Sequence, residues 1–280
     1  MPMADQPFRM VFLADIQLGM YATFSGFTAD EVARYAAVGM RVGAVPKVEG
    51  FEWDARQYER AVTLIDRLRP DLVIVGGDMI DDPNRDDQTE AFLSLTARLD
   101  PAIPMRYAPG NHDIAPDTVV PTDESISRYR EVFGPDFSTV SAGPVTFLLL
   151  DTVVIDHPER APKAWADQEA FIAAFLDEPP PTPIVAVGHH PLFLSDPDEP
   201  DTYWNLPLVR RRPLYDRLRV AGVRLALAGH WHRNNVAVHD GFEMVTSGPV
   251  GYPLGDDPSG LRLVELYPDR ITHSYLPLTE

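Results

Sequence analysis

Five short apolar runs in this chain each stop on a residue able to bind a metal, and that repetition constrains the fold more than any other feature. They are "FRMVFLAD", with Gln17 just beyond it, "DLVIVGGD", "IPMRYAPGNHD", "TPIVAVGHHP" and "VRLALAGHWH". Short apolar runs bounded by Gly, Asp or Asn read as buried strands. In α/β folds, ligands collect beyond the carboxyl ends of the strands. The five runs deliver Asp15, Asp78, Asn111 with His112, His189, and His230 with His232 to that position. Four of them carry glycine at or near the ligand, where the backbone turns sharply or approaches closely.

The segments between these runs carry helical spacing. Tyr58, Ala61, Val62, Ile65 and Leu68 predict a helix over 54–69 that stops at Pro70. Further helices are expected at 123–133, 164–177 and 207–221. The remainder reads as β. "FSTVSAG" and "PVTFLLLD" flank a Gly-Pro turn. "NVAVHDGFEMVTSG" holds Asp-Gly between two alternating runs, a strong hairpin signal. "LRLVELYPDRITHSYL" pairs two strands around Pro268 and Asp269. "EPPPTP" (178–183) is a stiff connector. The expected architecture is α/β: two packed mixed sheets with helices outside, a four-layer α-β-β-α sandwich, in one domain spanning 1–280.

Composition limits the function. The formal net charge of −18 repels polyanions, so no nucleic-acid partner is expected. The chain has no cysteine, which removes thiolate metal sites and cysteine nucleophiles. No run is long enough to span a membrane, and the N-terminus lacks a basic, cleavable leader, so a cytoplasmic protein is expected.

Each ligand-type motif is weak alone: an Asp after a strand is commonly a cap, and "GNHD" suits a turn. Their conjunction suits a two-metal hydrolytic centre, in which paired divalent ions clamp a phosphate ester and activate a water. Asp78 is the candidate bridge between two ions. Imidazoles with an amide oxygen favour Mn, Fe or Zn over a purely oxygen site.

The order of these motifs resembles the calcineurin-like metallophosphoesterase superfamily, whose pattern is D-x-H, G-D, G-N-H-[DE], G-H and G-H-x-H. A narrower likeness, carried by "DIQLG", "DEPDTYWNLP", "AGVRLALAGHWHRN" and "GFEMVTSGPVGYPLGDDPSGLRLVEL", is to its calcineurin-like phosphoesterase domain-containing protein 1 (complete S-transactivated protein 1) branch. That resemblance implies a serine/threonine phosphoprotein phosphatase-like monoesterase that works through metal-activated hydroxide on a phosphate-ester substrate. It implies one ion on Asp15, Gln17, Asp78 and His232, and another on Asp78, Asn111, His189 and His230. His112 would be the general acid, with Asp81 as its acidic partner and Asp113 as the alternative.

Gln17 stands where the superfamily pattern has histidine. Either its amide oxygen binds metal, making the first site more labile and tilted towards Mn or Mg, or it only hydrogen-bonds a bound water. The expected cofactor is two divalent ions, with Mn ahead of Fe, Mg or Zn. Tyr203, Trp204 and Asn205, in a long polar loop after "GHHP", are expected to wall the substrate site.

His190 reads as a pocket or a structural residue. His157, His239 and His273 read as surface, and Trp53 and Trp165 as core. Residues 20–53 carry no motif and read as a lid or a long loop with a helix. Tyr252 falls near the site by resemblance only. Two rival functions stand beside the monoesterase: a phosphodiesterase for cyclic nucleotides or glycerophosphodiesters, and a non-catalytic scaffold for a partner protein.

Overall fold

The computed structural model describes residues 6–115 and 120–278. Residues 1–5, part of the N-terminal stretch read above as lacking a leader, lie outside the described residues. The first half runs β1 (Phe8–Leu13), α1 (Met20–Thr23), α2 (Ala29–Ala37), α3 (Glu52–Leu68), β2 (Leu72–Gly76), α4 (Asp86–Thr96), β3 (Met105–Ala108), α5 (Asn111–Ile114) and α6 (Asp123–Phe133). Next come β4 (Ser138–Ala142), β5 (Val145–Leu149), α7 (Thr152–Asp156), α8 (Pro162–Asp177), β6 (Ile184–Val187), α9 (Leu208–Val220) and β7 (Leu225–Ala228). The chain ends with β8 (Asn235–His239), β9 (Phe242–Thr246), β10 (Gly260–Leu266) and β11 (Ile271–Pro277).

The strands make two mixed sheets, ordered β11-β10-β1-β2-β3 and β4-β5-β6-β7-β9-β8. The pleat explains the layers. Alternate residues Met10 and Phe12 of β1 pack with Phe147, Leu149, Val185 and Leu225 of the other sheet. Their neighbours Val11 and Leu13 face Tyr58, Ala61 and Ile65 of α3. On the far side, Leu148, Ala186 and Ala226 pack against Ile172 of α8 and Leu214 and Leu218 of α9. Strands buried on both faces must be apolar throughout, which is why the runs are continuous. The four-layer α-β-β-α sandwich is the observed fold.

The expected helices form within two residues of their predicted bounds, and Arg69 ends α3 in a left-handed conformation before Pro70. Asp240 and Gly241 both adopt positive φ in the β8–β9 turn, as a tight hairpin requires. Trp53 is half-buried and packs on Met20 and Tyr252 in a satellite cluster outside the main core. His273 is not a surface residue: its ring lies between Arg262 (2.9 Å) and Glu243 (3.1 Å). His239, half-buried, meets the Tyr215 hydroxyl at 2.7 Å.

Candidate metal centre

The ends of β1, β2, β3, β6 and β7 meet at one rim, where the two sheets are stitched by the motifs themselves. Between the sheets, the amide of His230 donates to both Asp15 carboxylate oxygens (2.9 and 3.1 Å); within the first sheet, the amide of His112 donates to Asp78 Oδ1 (2.9 Å). Close approach explains two motif glycines. A Cβ on Gly229 would lie 2.6 Å from Asp15 Oδ2, and one on Gly110 would collide with Asp78. Conformational strain falls on the candidate ligands. Asp15, Gln17, Asp78, His230 and His232 all adopt positive φ, a region costly for non-glycine residues and concentrated at functional sites.

Four of the site histidines each have one ring nitrogen committed to a main-chain carbonyl. His189 Nδ1–H donates to Gly76 O (2.9 Å), His230 Nε2–H to Tyr203 O (2.8 Å), His232 Nδ1–H to Tyr252 O (2.8 Å) and His112 Nδ1–H to Asp81 O (2.7 Å). A carbonyl only accepts, so in the neutral form of each ring the lone pair lies on the opposite nitrogen. For three of these rings, that nitrogen faces other acceptors. His189 Nε2 lies 3.2 Å from Asp78 Oδ2, 3.1 Å from Asn111 Oδ1 and 3.2 Å from His230 Nδ1. His232 Nε2 lies 3.5 Å from Asp15 Oδ1. Gln17 Oε1 is buried with no hydrogen-bond partner, while its Nε2 donates to Asp81 Oδ1 (3.0 Å). Acceptors facing acceptors, with a buried orphaned oxygen beside them, form a cage for cations.

The electrostatics agree. Burial pushes the Asp78 carboxyl up, but His189, His112 and His230 outweigh it and hold it well below the usual carboxylate range. Burial pushes His189 down, but Asp78 and Asp15 raise it to about 9, so without an ion a proton is drawn into the gap. Burial, with His189 beside it, lowers His230 to about 3, the neutral form that binds metal. Burial also raises Asp15, opposed by His232 and His189.

Other residues separate from the cage. His190 lies near His189 and His230, but its Nδ1 sits 3.0 Å from the Thr152 hydroxyl. That hydroxyl already accepts the amides of His189 and His190, so its proton goes to His190 Nδ1. The ring proton therefore lies on Nε2, and neither nitrogen is a free donor to metal.

Asp113, the alternative partner of His112, faces elsewhere. It accepts the amides of Asp78 (2.7 Å), Met79 (2.7 Å), Ile80 (3.3 Å) and Gly110 (2.8 Å), tying two ligand loops together. Asp81 orients His112 chiefly through its main-chain carbonyl, and its carboxylate lies 3.6 Å from Nδ1.

A cavity of about 530 Å³ opens over the cage, lined also by Met20, Phe24, Tyr35 and Met40, and by Tyr203 and Trp204, whose rings lie against His230. Asn205 does not join that wall. It is buried, and its amide is consumed by Glu199, Pro200 and Thr202 within the loop. Sequence reasoning left the cap over 20–53 without named residues. Its signal was a density of aromatics and methionines with no core-facing period, and these form a cluster with Tyr252 and Leu254.

Comparison with known proteins places this geometry. The chain is 31% identical over 289 residues to the Serine/threonine-protein phosphatase CPPED1 of Homo sapiens, covering 98% of this chain and 85% of that protein. It is 26% identical over 233 residues to the cAMP/cGMP dual specificity phosphodiesterase MT0825 of Mycobacterium tuberculosis, covering 75% of this chain and 67% of that protein. A dimetal phosphatase from Danio rerio superposes with a TM-score of 0.63 at 18% identity, over 99% of this chain and 98% of its own. The family model of the calcineurin-like phosphoesterases matches residues 8–234, the stretch that carries every candidate ligand, and the chain belongs to that family of metal-dependent phosphoester hydrolases.

Proposed function

We propose that this chain is a phosphate monoesterase using two divalent cations, with direct attack of water on phosphorus and no covalent enzyme intermediate. The state of the donor atoms carries this reading: three imidazole lone pairs, the shared Asp78 carboxylate and the orphaned Gln17 Oε1 all face inward. One ion would be held by Asp15, Gln17, Asp78 and His232, the other by Asp78, Asn111, His189 and His230. Ions held by these residues would supply charge to neutralise the phosphoryl group and would lower the pKa of a water.

His112 delivers the proton to the leaving oxygen from Nε2, since its Nδ1–H is fixed on Asp81 O. The Asp81 carboxylate gives a cationic ring its counter-charge. An amide oxygen in the first site favours Mn or Mg there. Likeness to the human phosphatase supports a phosphoserine or phosphothreonine protein as substrate, and a cytoplasmic protein acting as one domain completes the proposal.

The test is hydrolysis of p-nitrophenyl phosphate and bis-p-nitrophenyl phosphate by chelated protein reloaded separately with Mn, Mg, Fe or Zn. Metal-restored turnover of the monoester above the diester is expected. Preference for the diester would favour the second reading, a phosphodiesterase, which the similarity to the mycobacterial enzyme supports.

A further inference from the structure

The cavity over the metal cage is divided by chemistry. Part of its lining is the candidate ligands with His112, Asp81 and Asp82; the rest is largely apolar, with Phe24, Tyr35, Met40 and Leu254, and with Tyr203 and Trp204 against His230. Among the described residues lining it, none is lysine or arginine. The cations nearest the cap hold the wall in place. Arg34 lies 3.7 Å from Glu31 on α2, Lys47 donates to Ala22 O (2.8 Å), Arg233 binds the carbonyls of Leu254 and Gly39, and Arg41 pairs with Asp256.

We infer that the site selects phosphate monoesters whose alcohol carries apolar surface next to the ester oxygen and no second anionic group, with Phe24, Tyr35 and Met40 as specificity-determining residues. The inference rests on the monoesterase reading. The phosphoryl charge has its partners at the cage, but a second phosphate or carboxylate would meet aromatic side chains, thioethers, Leu254, the Thr23 hydroxyl and the Asp82 carboxylate, with no lysine or arginine among the described lining residues. An unpaired charge against an apolar wall is costly, whereas an alkyl group there leaves water at a gain that grows with each methylene. The wall is built to be stable. Phe24 stacks on Tyr252 (5.8 Å), Phe27 stacks on Tyr35 (5.1 Å), and Tyr252 is fixed by Gly43 N donating to its hydroxyl (2.8 Å). The same wall would read a phosphoprotein through the side chains flanking its phosphoserine.

The experiment compares ethyl, hexyl and 5-carboxypentyl phosphate, which share reacting atoms and leaving-group acidity. A pair of phosphoserine peptides, flanked by leucine or by aspartate, is run beside them. With metal-loaded protein, kcat/KM for hexyl phosphate is expected to exceed both other esters by at least about tenfold. Phe24→Ala and Met40→Ala should each collapse the hexyl-to-ethyl ratio. Calorimetric binding of hexylphosphonate over ethylphosphonate should follow the same order without turnover. A preference shared by the leucine-flanked peptide extends the class to phosphoproteins, and one confined to the alkyl esters assigns the cavity to free apolar alcohols. Equal turnover of the three esters overturns the inference while leaving the monoesterase standing. Hydrolysis of bis-p-nitrophenyl phosphate with none of any monoester overturns both.

Discussion

Gln17 does two things with one amide. Its Nε2 holds the Asp81 carboxylate, which lies beside His112, and its Oε1 is buried at the cage without a hydrogen-bond partner. Gln17→Leu keeps the bulk and removes the oxygen. It should retain one tightly held ion per chain where the parent holds two, read by metal analysis after dialysis, and two ions at parent affinity would show that Gln17 does not ligate. His112→Ala should lower kcat on an alkyl phosphate by about 10²–10⁴-fold. The loss on p-nitrophenyl phosphate should be far smaller, because that leaving group departs without a proton; equal losses would contradict the acid role. The residue types of the cage were legible because strand ends carry them in the open. Which nitrogen each ring offers was not. The carbonyls that decide it lie 113, 27 and 20 positions away for His189, His230 and His232, and the left-handed φ values have no mark in residue type.

Two supporting elements act on the site from a distance. The loop over 194–206 is pinned by Arg211, fully buried at the N-terminal end of α9, which donates to the carbonyls of Pro197, Leu206 and Glu199. That loop supplies Tyr203 O to His230. Arg211→Met should therefore weaken the ion held by His189 and His230 by about 10–100-fold, the usual cost of losing a group that orients a ligand, measured by competition with a chelating dye.

Asp54 of α3 accepts the amides of Gly19 (3.1 Å) and Tyr21 (3.3 Å), anchoring α1 and the cap. Burial, with Asp81 nearby, raises it from 3.8 to about 7. Its folded pKa is raised, so its contribution to stability is full below about pH 4 and is lost as pH rises through about 7. Asp54→Asn should flatten that slope in the metal-free protein, read as the difference in thermal midpoint between pH 4 and 8. The helices that face the core announced themselves by apolar period. The cap did not, because α2 buries no residue against the main core and sets Val32 and Tyr35 on the satellite cluster instead. An apolar stripe does not say which surface it packs on.

At the scale of the molecule, the cage joins the two sheets, with Asp15, Asp78 and Asn111 from one and His189, His230 and His232 from the other. Ion binding is then coupled to keeping the sheets together. Chelation should lower the thermal midpoint and reloading should restore it. A free-ion concentration of 100 Kd corresponds to about 2.7 kcal/mol, or roughly 5 °C in a chain of this size; an unchanged midpoint would mean that the ions do not bind the folded state.

The sequence alone determined the sandwich and which ligand-type residues stand at its strand ends. A strand buried on both faces must be apolar along its whole length, and a ligand must stand where such a run stops, so both are written in local order. Only the tertiary structure decided that Asp113 binds backbone amides, that Asn205 is spent inside its loop, that His190 has no free nitrogen, and that an aromatic cap closes over the ligands. These are matters of which atom meets which across long stretches of chain. A side chain's chemistry is fixed by its type, but its role is fixed by the hydrogen bonds its neighbours leave it.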